Sequence, residues 1–310
     1  MSWLALIAIY VLGDSTNVYV DNYVSDCYFK GNKSVAQKCF YIIPHIITAL
    51  ILIGISVATG ALSEASMNPL LLFFVSGVMT SLAGIPYYRA LELDNSTNLG
   101  IFFQIAPVLY LILGWLFFGE MISGAQLLAF FIISLAPLVV IFSTKRRNSQ
   151  RVKLRAAVYT SFYVLVAVLA NLIFVQQSSI ANVDFIAELG FVILGKGIGN
   201  LAIIIARPKW RKRFSNVMKA SNKKVLRPLI FNYVIVLAKD YAKYMGFILA
   251  PSAAIASAVG DSAEPIVIFL MGIIMTLIWP KFGREELKLR PIMAHLIATI
   301  LIVIGITILR

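Results

Sequence analysis

Residues 105–129 read IAPVLYLILGWLFFGEMISGAQLLA, and residues 263–294 read AEPIVIFLMGIIMTLIWPKFGREELKLRPIMA. Both open on a proline, Ile105-Ala106-Pro107-Val108 in one and Ala263-Glu264-Pro265-Ile266 in the other, and both run on through an apolar span. Each then reaches a glutamate, Glu120 or Glu285. From it, Ile122, Leu127 and Ala129 stand at the same offsets as Leu287, Ile292 and Ala294, namely 2, 7 and 9 residues. Self-similarity of this kind marks an internal repeat. What is repeated is an apolar helix, a turn and a second apolar helix.

The rest of the chain has the same character. Of its 310 residues 60% are hydrophobic and only 13% charged, and the mean hydropathy is +0.88. A soluble domain keeps about a quarter of its residues charged. A chain this apolar lacks the polar surface to wrap a globule, so its expected solvent is lipid. A bilayer core of about 30 Å needs roughly 20 residues of helix. Ten stretches qualify, near 2–22, 42–60, 70–91, 97–118, 122–143, 155–175, 184–206, 228–250, 253–279 and 288–309. The first has no basic flank and no small-residue cleavage site, so it reads as a span and not as a signal peptide.

The net charge of +13 is carried by short connections between apolar runs. It lies on no tail or amphipathic face, which argues against a nucleic-acid partner and for juxtamembrane anchors beside anionic headgroups. With ten spans, 23 of the 27 Lys and Arg residues fall on one side, in the odd-numbered connections, and only Arg310 on the other. The remaining three, Lys196, Lys239 and Lys243, fall inside spans. One span more or fewer would scramble this partition. The positive-inside rule then puts the basic loops in the cytoplasm and both termini outside. Cys27 and Cys39 are too few for a disulfide scaffold. The sequons at Asn32 and Asn95 lie on the basic side. GKGIGN at 195–200 sits in an apolar span with no strand before it, so Gly195 and Gly199 read as a close helix contact. The sequence contains no Walker A motif, zinc-ligand cluster or nucleophile elbow.

The repeat divides the chain into residues 1–144, a basic linker 145–154, and residues 155–310. Five spans per half is an odd number, so the second copy must insert upside down. Inverted repeats recur in secondary transporters, with a substrate site near the midplane between them. The expected fold is therefore an all-α membrane protein of ten transmembrane helices in two inverted five-helix repeats.

The segments GIFFQIAPVLYLILGWLFFGEMISGAQLLAFFIISLAPLVVI (100–141) and ASAVGDSAEPIVIFLMGIIMTLIWPKFGREELKLRPIMAHLIATILIVIGITIL (256–309) resemble the EamA module of the drug/metabolite transporter superfamily. GIPYYRALEL (84–93) resembles that module's third helix. The resemblance covers both halves. It implies a ten-helix exporter or exchanger of small metabolites, with helices 5 and 10 peripheral and the others around a central cavity. The family is described with both termini in the cytoplasm, opposite to the orientation the charges give here.

Ionisable groups in hydrocarbon cost at least ~2.5–3.5 kcal/mol each, so those inside spans are functional candidates. Asp14, Asn17 and Asp21 share one face of the first span. They suit a cation or proton site, or, as the plainer reading, an interfacial position and a hydrogen bond to a neighbouring helix. The eighth span holds Lys239, Asp240 and Lys243; the seventh holds Glu188, Lys196 and Asn200; the ninth holds Asp261 and Glu264 just before Pro265. Their signs nearly balance. One reading is an ion-pair network that fixes helix register, and the other is a substrate site carrying both signs or a carboxylate relay for protons. Two lysines on one helix face repel unless an anion or carboxylate lies between them, which favours a charged or zwitterionic solute. Gln104, beside the Ala106-Pro107 break, and Tyr87, at the end of the third span, complete the expected lining. His45 and His295 each stand alone in apolar surroundings and read as bridging hydrogen-bond partners.

The expected protein is thus a secondary active transporter, exporter or exchanger, of a small metabolite, set in the cell (inner) membrane. Its expected substrate-binding residues are Lys239, Lys243, Asp261, Glu264, Asp14, Asn17, Gln104, Tyr87, Lys196 and Asp240. Its expected partners are the lipid bilayer, the solute, protons or a counter-solute, and a second copy in a homodimer. No catalytic residue, metal or cofactor is expected. An intramembrane enzyme with Asp261 and Glu264 as acid and base, and a structural or regulatory subunit, are the alternatives from other classes.

Overall fold

The computed structural model describes residues 2–28, 33–63, 65–93, 103, 105–119, 121–144, 154–181, 183–206, 208, 211–212, 214–215, 223–278 and 289–308. Among these the chain is all-helical, with ten long helices. They are α1 Trp3–Tyr28, α2 Lys33–Ala58, α3 Met67–Leu93, α4 Ala106–Phe118, α5 Gly124–Thr144, α6 Leu154–Ile180, α7 Phe185–Ala206, α8 Lys223–Leu249, α9 Ala253–Ile278 and α10 Leu289–Ile308.

The helix ends are written in the sequence. A helix leaves its first amide protons without internal partners, and a short polar side chain satisfies them. The Ala5 amide donates to Ser2 Oγ at 3.3 Å, Ile186 to Asp184 Oδ2 at 3.1 Å, and Ile255 to Ser252 Oγ at 3.2 Å. Before α5, Ser123 and Gln126 cap one another: the Gln126 amide donates to Ser123 Oγ at 3.2 Å and the Ser123 amide to Gln126 Oε1 at 2.9 Å. Pro107 occupies the first turn of α4, where its missing amide proton costs nothing. That helix ends on Gly119 at φ 64°, a left-handed position that only glycine takes without strain. The connections α2–α3, α4–α5, α6–α7 and α8–α9 are all short as a result.

Among the described residues five helices are long and apolar enough to cross a membrane by length and composition, over Tyr41–Ala58, Met67–Tyr87, Leu154–Ile180, Phe185–Ala206 and Ala253–Ile274. Shorter apolar runs lie in α4, α5 and α10. The burial pattern is that of a chain whose outside is apolar. On α2, Ile43, Ile47, Leu50 and Ile51 are exposed while His45, Ala49 and Ser56 are buried. On α4, Trp115, Leu116 and Phe117 face outward.

The chain forms two compact units, each drawn from several stretches of sequence. Unit 1 is Met1–Thr16, Arg89–Val164 and Ala238–Arg310, and unit 2 is Asn17–Tyr88 and Leu165–Leu237. The divisions fall inside α1, α3, α6 and α8.

In unit 1, α5 packs on α10, and α9 packs on α4, α5 and α10. Gly305 admits Ile133, and the Ser262 hydroxyl donates to the Ile133 carbonyl at 3.1 Å. The first half of α1 runs antiparallel to the second half of α8; a Cβ on Gly246 would stand 3.0 Å from Ile7 Cδ1 and 3.3 Å from Leu6 Cβ.

In unit 2, α7 lies between α2 and α3 and meets each through glycines. Toward α2, a Cβ on Gly190 would be 3.3 Å from Leu52 Cβ, and one on Gly197 would be 3.3 Å from His45 Cβ. Toward α3, Gly195 abuts the Phe74 carbonyl, Gly77 abuts the Val192 carbonyl, and Gly199 sits against Ser81. Gly195 and Gly199 thus make the close helix contact their spacing predicts. The Ser81 hydroxyl donates to the Lys196 carbonyl at 2.7 Å across the same seam. On its other side α3 meets α6, where Ser76 donates to the Ala170 carbonyl at 2.8 Å and Phe73 packs on Phe174 at 5.4 Å.

Candidate functional site

Unit 1 gathers charge from three helices. Asp14 on α1 and Lys239 on α8 form a direct ion pair, with side chains 23% and 17% exposed. One turn further along α8, the Lys243 ammonium lies over the rings of Tyr10 and Phe247, 5.4 and 5.8 Å from their centroids. This is cation–π geometry, strongest where water is scarce. Helix α9 adds two carboxylates: Asp261, which accepts a hydrogen bond from Ser257 one turn before it, and Glu264 less than one turn further along. Tyr10 lies within electrostatic range of all three carboxylates and of Tyr110 on α4, whose ring packs on Phe247 at 5.5 Å. Gly260 leaves the room Tyr10 needs, since a Cβ there would stand 3.3 Å from its ring.

Five of the expected residues, Asp14, Lys239, Lys243, Asp261 and Glu264, therefore converge within one unit. Asp240, on α8 beside them, is 7% exposed. Chemically the cluster offers two ammoniums and three carboxylates against an aromatic wall of Tyr10, Tyr110 and Phe247. Such a wall gives a solute an apolar surface while the charges orient it.

Unit 2 carries a second polar centre, built from amide, hydroxyl and imidazole groups. Asn17 donates to Asn232 Oδ1 at 3.3 Å, Asn232 donates to the Tyr41 hydroxyl at 2.7 Å, and Tyr233 donates to Thr48 at 3.2 Å. His45 follows Pro44 in α2 and bonds the Tyr41 carbonyl through Nδ1. Its ring meets Tyr41 and Tyr233 edge-on at 5.9 and 5.3 Å. Asn17 is thus part of this hydrogen-bond chain, whereas the His45 hydrogen bond stays within α2, to the carbonyl one turn before it, and its ring alone reaches Tyr233 on α8. Lys196 and Tyr87 are half-buried on α7 and α3, and Asn200 is buried one turn beyond Lys196. Glu188, 1% exposed, accepts a hydrogen bond from Ser178 at 2.7 Å and ties α6 to α7. Gln104 and the side chains of Asp21 and His295 lie outside the described residues.

Tyr10, Ser257, Tyr110 and Phe247 in unit 1, and Asn232, Tyr41 and Tyr233 in unit 2, belong to these centres without being among the residues expected from the sequence. Tyr10 and Ser257 each stand four residues before a carboxylate, and Asn232 stands seven before Lys239. Extending each charged face by a turn or two finds them.

No family model and no curated protein matches the chain. Among solved structures, a crystal structure described only as that of a protein matches over 97% of this chain and 96% of its own length. Its TM-score is 0.61 at 14% sequence identity, a likeness of fold alone.

Proposed function

We propose that the chain is a secondary active transporter of the EamA type, carrying a small charged or zwitterionic metabolite across a membrane by alternating access. The observation that carries this reading is the mixed-charge cluster of Asp14, Lys239, Lys243, Asp261 and Glu264, assembled from α1, α8 and α9 against an aromatic wall. Charges inside apolar helices are costly and persist where they line a solute path. The outward-facing Ile, Leu, Trp and Phe side chains support lipid as the solvent.

The packing also supports the inverted repeat. If α1–α5 and α6–α10 are equivalent, then α2 matches α7, α4 matches α9 and α5 matches α10; each of these pairs packs together. Exchanging the halves likewise turns the α1–α8 contact into the α6–α3 contact, and both are present as antiparallel pairs. Residue numbers fall along α7 as they rise along α2, the direction a two-fold axis in the membrane plane requires.

The test begins with a thermal-shift screen of purified protein against amino acids, organic acids, amines and sugars, because a ligand of the folded state raises the melting point. Compounds that stabilise it are then offered, radiolabelled, to proteoliposomes. Lys243→Ala and Glu264→Gln are expected to abolish uptake while the protein stays monodisperse. Unchanged uptake in both variants sinks the site assignment, and turnover of a lipid without solute flux favours an intramembrane enzyme.

A further inference from the structure

We propose that unit 2 holds a ligand site of its own on the inner side of α7, where the Asn200 side-chain oxygen and the Lys196 ammonium receive a small hydroxycarboxylate. Its hydroxyl donates to Asn200 and its carboxylate meets the charge of Lys196. The proposal concerns unit 2 alone and does not depend on the transporter reading.

The starting observation is an oxygen without a donor. Among the described residues four buried side-chain polar atoms have no hydrogen-bond partner: Oγ of Ser15, Ser56 and Ser134, and Oδ1 of Asn200. A serine hydroxyl turns about one bond and can donate to a carbonyl of its own helix. Asn200 Oδ1 only accepts, and in mid-helix every main-chain amide proton near it already serves the carbonyl four residues back. Its donor has to come from outside α7, and the residue is only 7% exposed. Buried acceptors are satisfied in nearly all folded proteins, so a group carrying an N–H or O–H belongs there.

The faces of α7 define where that group sits. Gly190 and Gly197 meet α2, Gly195 and Gly199 meet α3, and the exposed Ile198 and Ile205 mark the outer side. At about 3.6 residues per turn the remaining side carries Ile193, Lys196, Asn200 and Ile203. Both isoleucines and Asn200 are buried, and Lys196 is half-buried. Lys196 and Asn200 are one turn apart, roughly 5–6 Å between Cβ atoms. Gly197 brings α2 close at His45, and Gly199 brings α3 close at Ser81, whose hydroxyl holds the Lys196 carbonyl at 2.7 Å. Lys196 is the one ammonium within the apolar stretches Tyr41–Ala58, Met67–Tyr87 and Phe185–Ala206, and a charge placed so marks a site. An ammonium has three N–H donors, so a ligand joins whatever Lys196 already holds. The pair suits an anionic group with a hydrogen-bond donor a few bonds away. An ammonium as that donor would add a second positive charge beside Lys196, whereas a hydroxyl donates without one. The chemistry selected is that of a 2-hydroxycarboxylate.

The test uses the full chain, purified in detergent, and needs no transport. Its melting temperature is followed against glycolate and L-lactate, with acetate, propionate and L-alanine as skeletons that lack the hydroxyl or carry an ammonium in its place. The hydroxy acids are expected to raise it at concentrations at least tenfold lower than the other three. Asn200→Ala and Lys196→Met are each expected to weaken the hydroxy-acid effect at least tenfold. A shift of wild-type size in either variant overturns the proposal, as does propionate acting as strongly as lactate. Absence of any shift in the wild type also overturns it and leaves a bound water as the donor to Asn200. Stability without added acid gives a second reading. Asn200→Ala is expected to melt closer to wild type than Asn232→Ala, because the same truncation breaks two hydrogen bonds at Asn232 and none at Asn200 Oδ1. Equal losses would give that oxygen a partner within the protein and overturn the site. None of these outcomes bears on the transporter reading, which is decided by solute uptake in the variants of unit 1.

Discussion

Asp14 and Lys239 are the residues whose removal should speak most plainly, because each neutralises the other where water is scarce. Removing one partner of a buried pair leaves an uncompensated charge and costs about 3–5 kcal/mol, whereas removing both is often close to neutral. Asp14→Asn and Lys239→Met are each expected to lower the melting temperature of the detergent-solubilised protein by several degrees. The double variant should recover most of that loss and none of the uptake. Equal, additive losses would show that the two side chains do not interact in the folded protein. In unit 2, Asn232→Ala removes one hydrogen bond from the Asn17 amide and one from the Tyr41 hydroxyl together, and about 1–3 kcal/mol of destabilisation is expected from thermal unfolding. The two centres were unequally legible in the sequence. A lysine or aspartate inside an apolar run announces itself by its cost, which is why Asp14, Lys239, Lys243, Asp261 and Glu264 stand out on inspection. Tyrosine, serine and asparagine are tolerated in such runs, so Tyr10, Ser257, Asn232 and Tyr41 become visible only through the partners they touch.

At the scale of helices, α7 is the element to perturb. Its glycines meet α3 backbone to backbone, and a methyl group at Gly195 or at Gly77 would have to displace a main-chain carbonyl, which cannot rotate out of the way. Gly195→Ala and Gly77→Ala are therefore expected to behave as overpacking substitutions costing about 1–3 kcal/mol. Gly54 on α2 is the control: nothing lies within 4 Å of a Cβ added there, and Gly54→Ala should leave the melting temperature unchanged or raise it slightly. Equal effects at all three positions would deny the α3–α7 seam. The helices themselves were readable because length and hydropathy set them, and their ends because Ser2, Ser123, Asp184 and Ser252 cap them. Which face of a helix meets which neighbour was readable only at the glycines. A leucine looks the same whether it faces lipid or another helix, so apolar pattern alone does not orient a span.

For the whole molecule, the repeat proposed above was legible, as an expectation, from the Pro and Glu anchors of residues 105–129 and 263–294. The two compact units were not, since each collects stretches from both ends of the chain and contact at long range leaves no mark on local sequence. Orientation in the membrane is a separate question, and two arguments about it conflict. On the ten-span reading the basic residues are expected to put connections α1–α2, α3–α4, α5–α6, α7–α8 and α9–α10 in the cytoplasm, whereas the EamA-type reading proposed above would put both termini there. The charge argument has a direct physical cause, because Lys and Arg near span ends resist translocation and are drawn to the anionic leaflet. It carries a sharp expectation for residues exposed in the structure. Ser63, Ser123 and Asp184 lie on the short connections of one side, and Lys212 lies in the basic connection between α7 and α8. In a background lacking Cys27 and Cys39, Ser123→Cys should react with a membrane-impermeant maleimide on intact cells. Lys212→Cys should react only after permeabilisation. Ser63→Cys and Asp184→Cys should follow Ser123→Cys, since a single missed span between them would split their behaviour. If Lys212→Cys labels from outside and the other three do not, the termini are cytoplasmic and the charges have been overruled. In that case the helix count still stands, because only a mixed pattern among the three short connections breaks it.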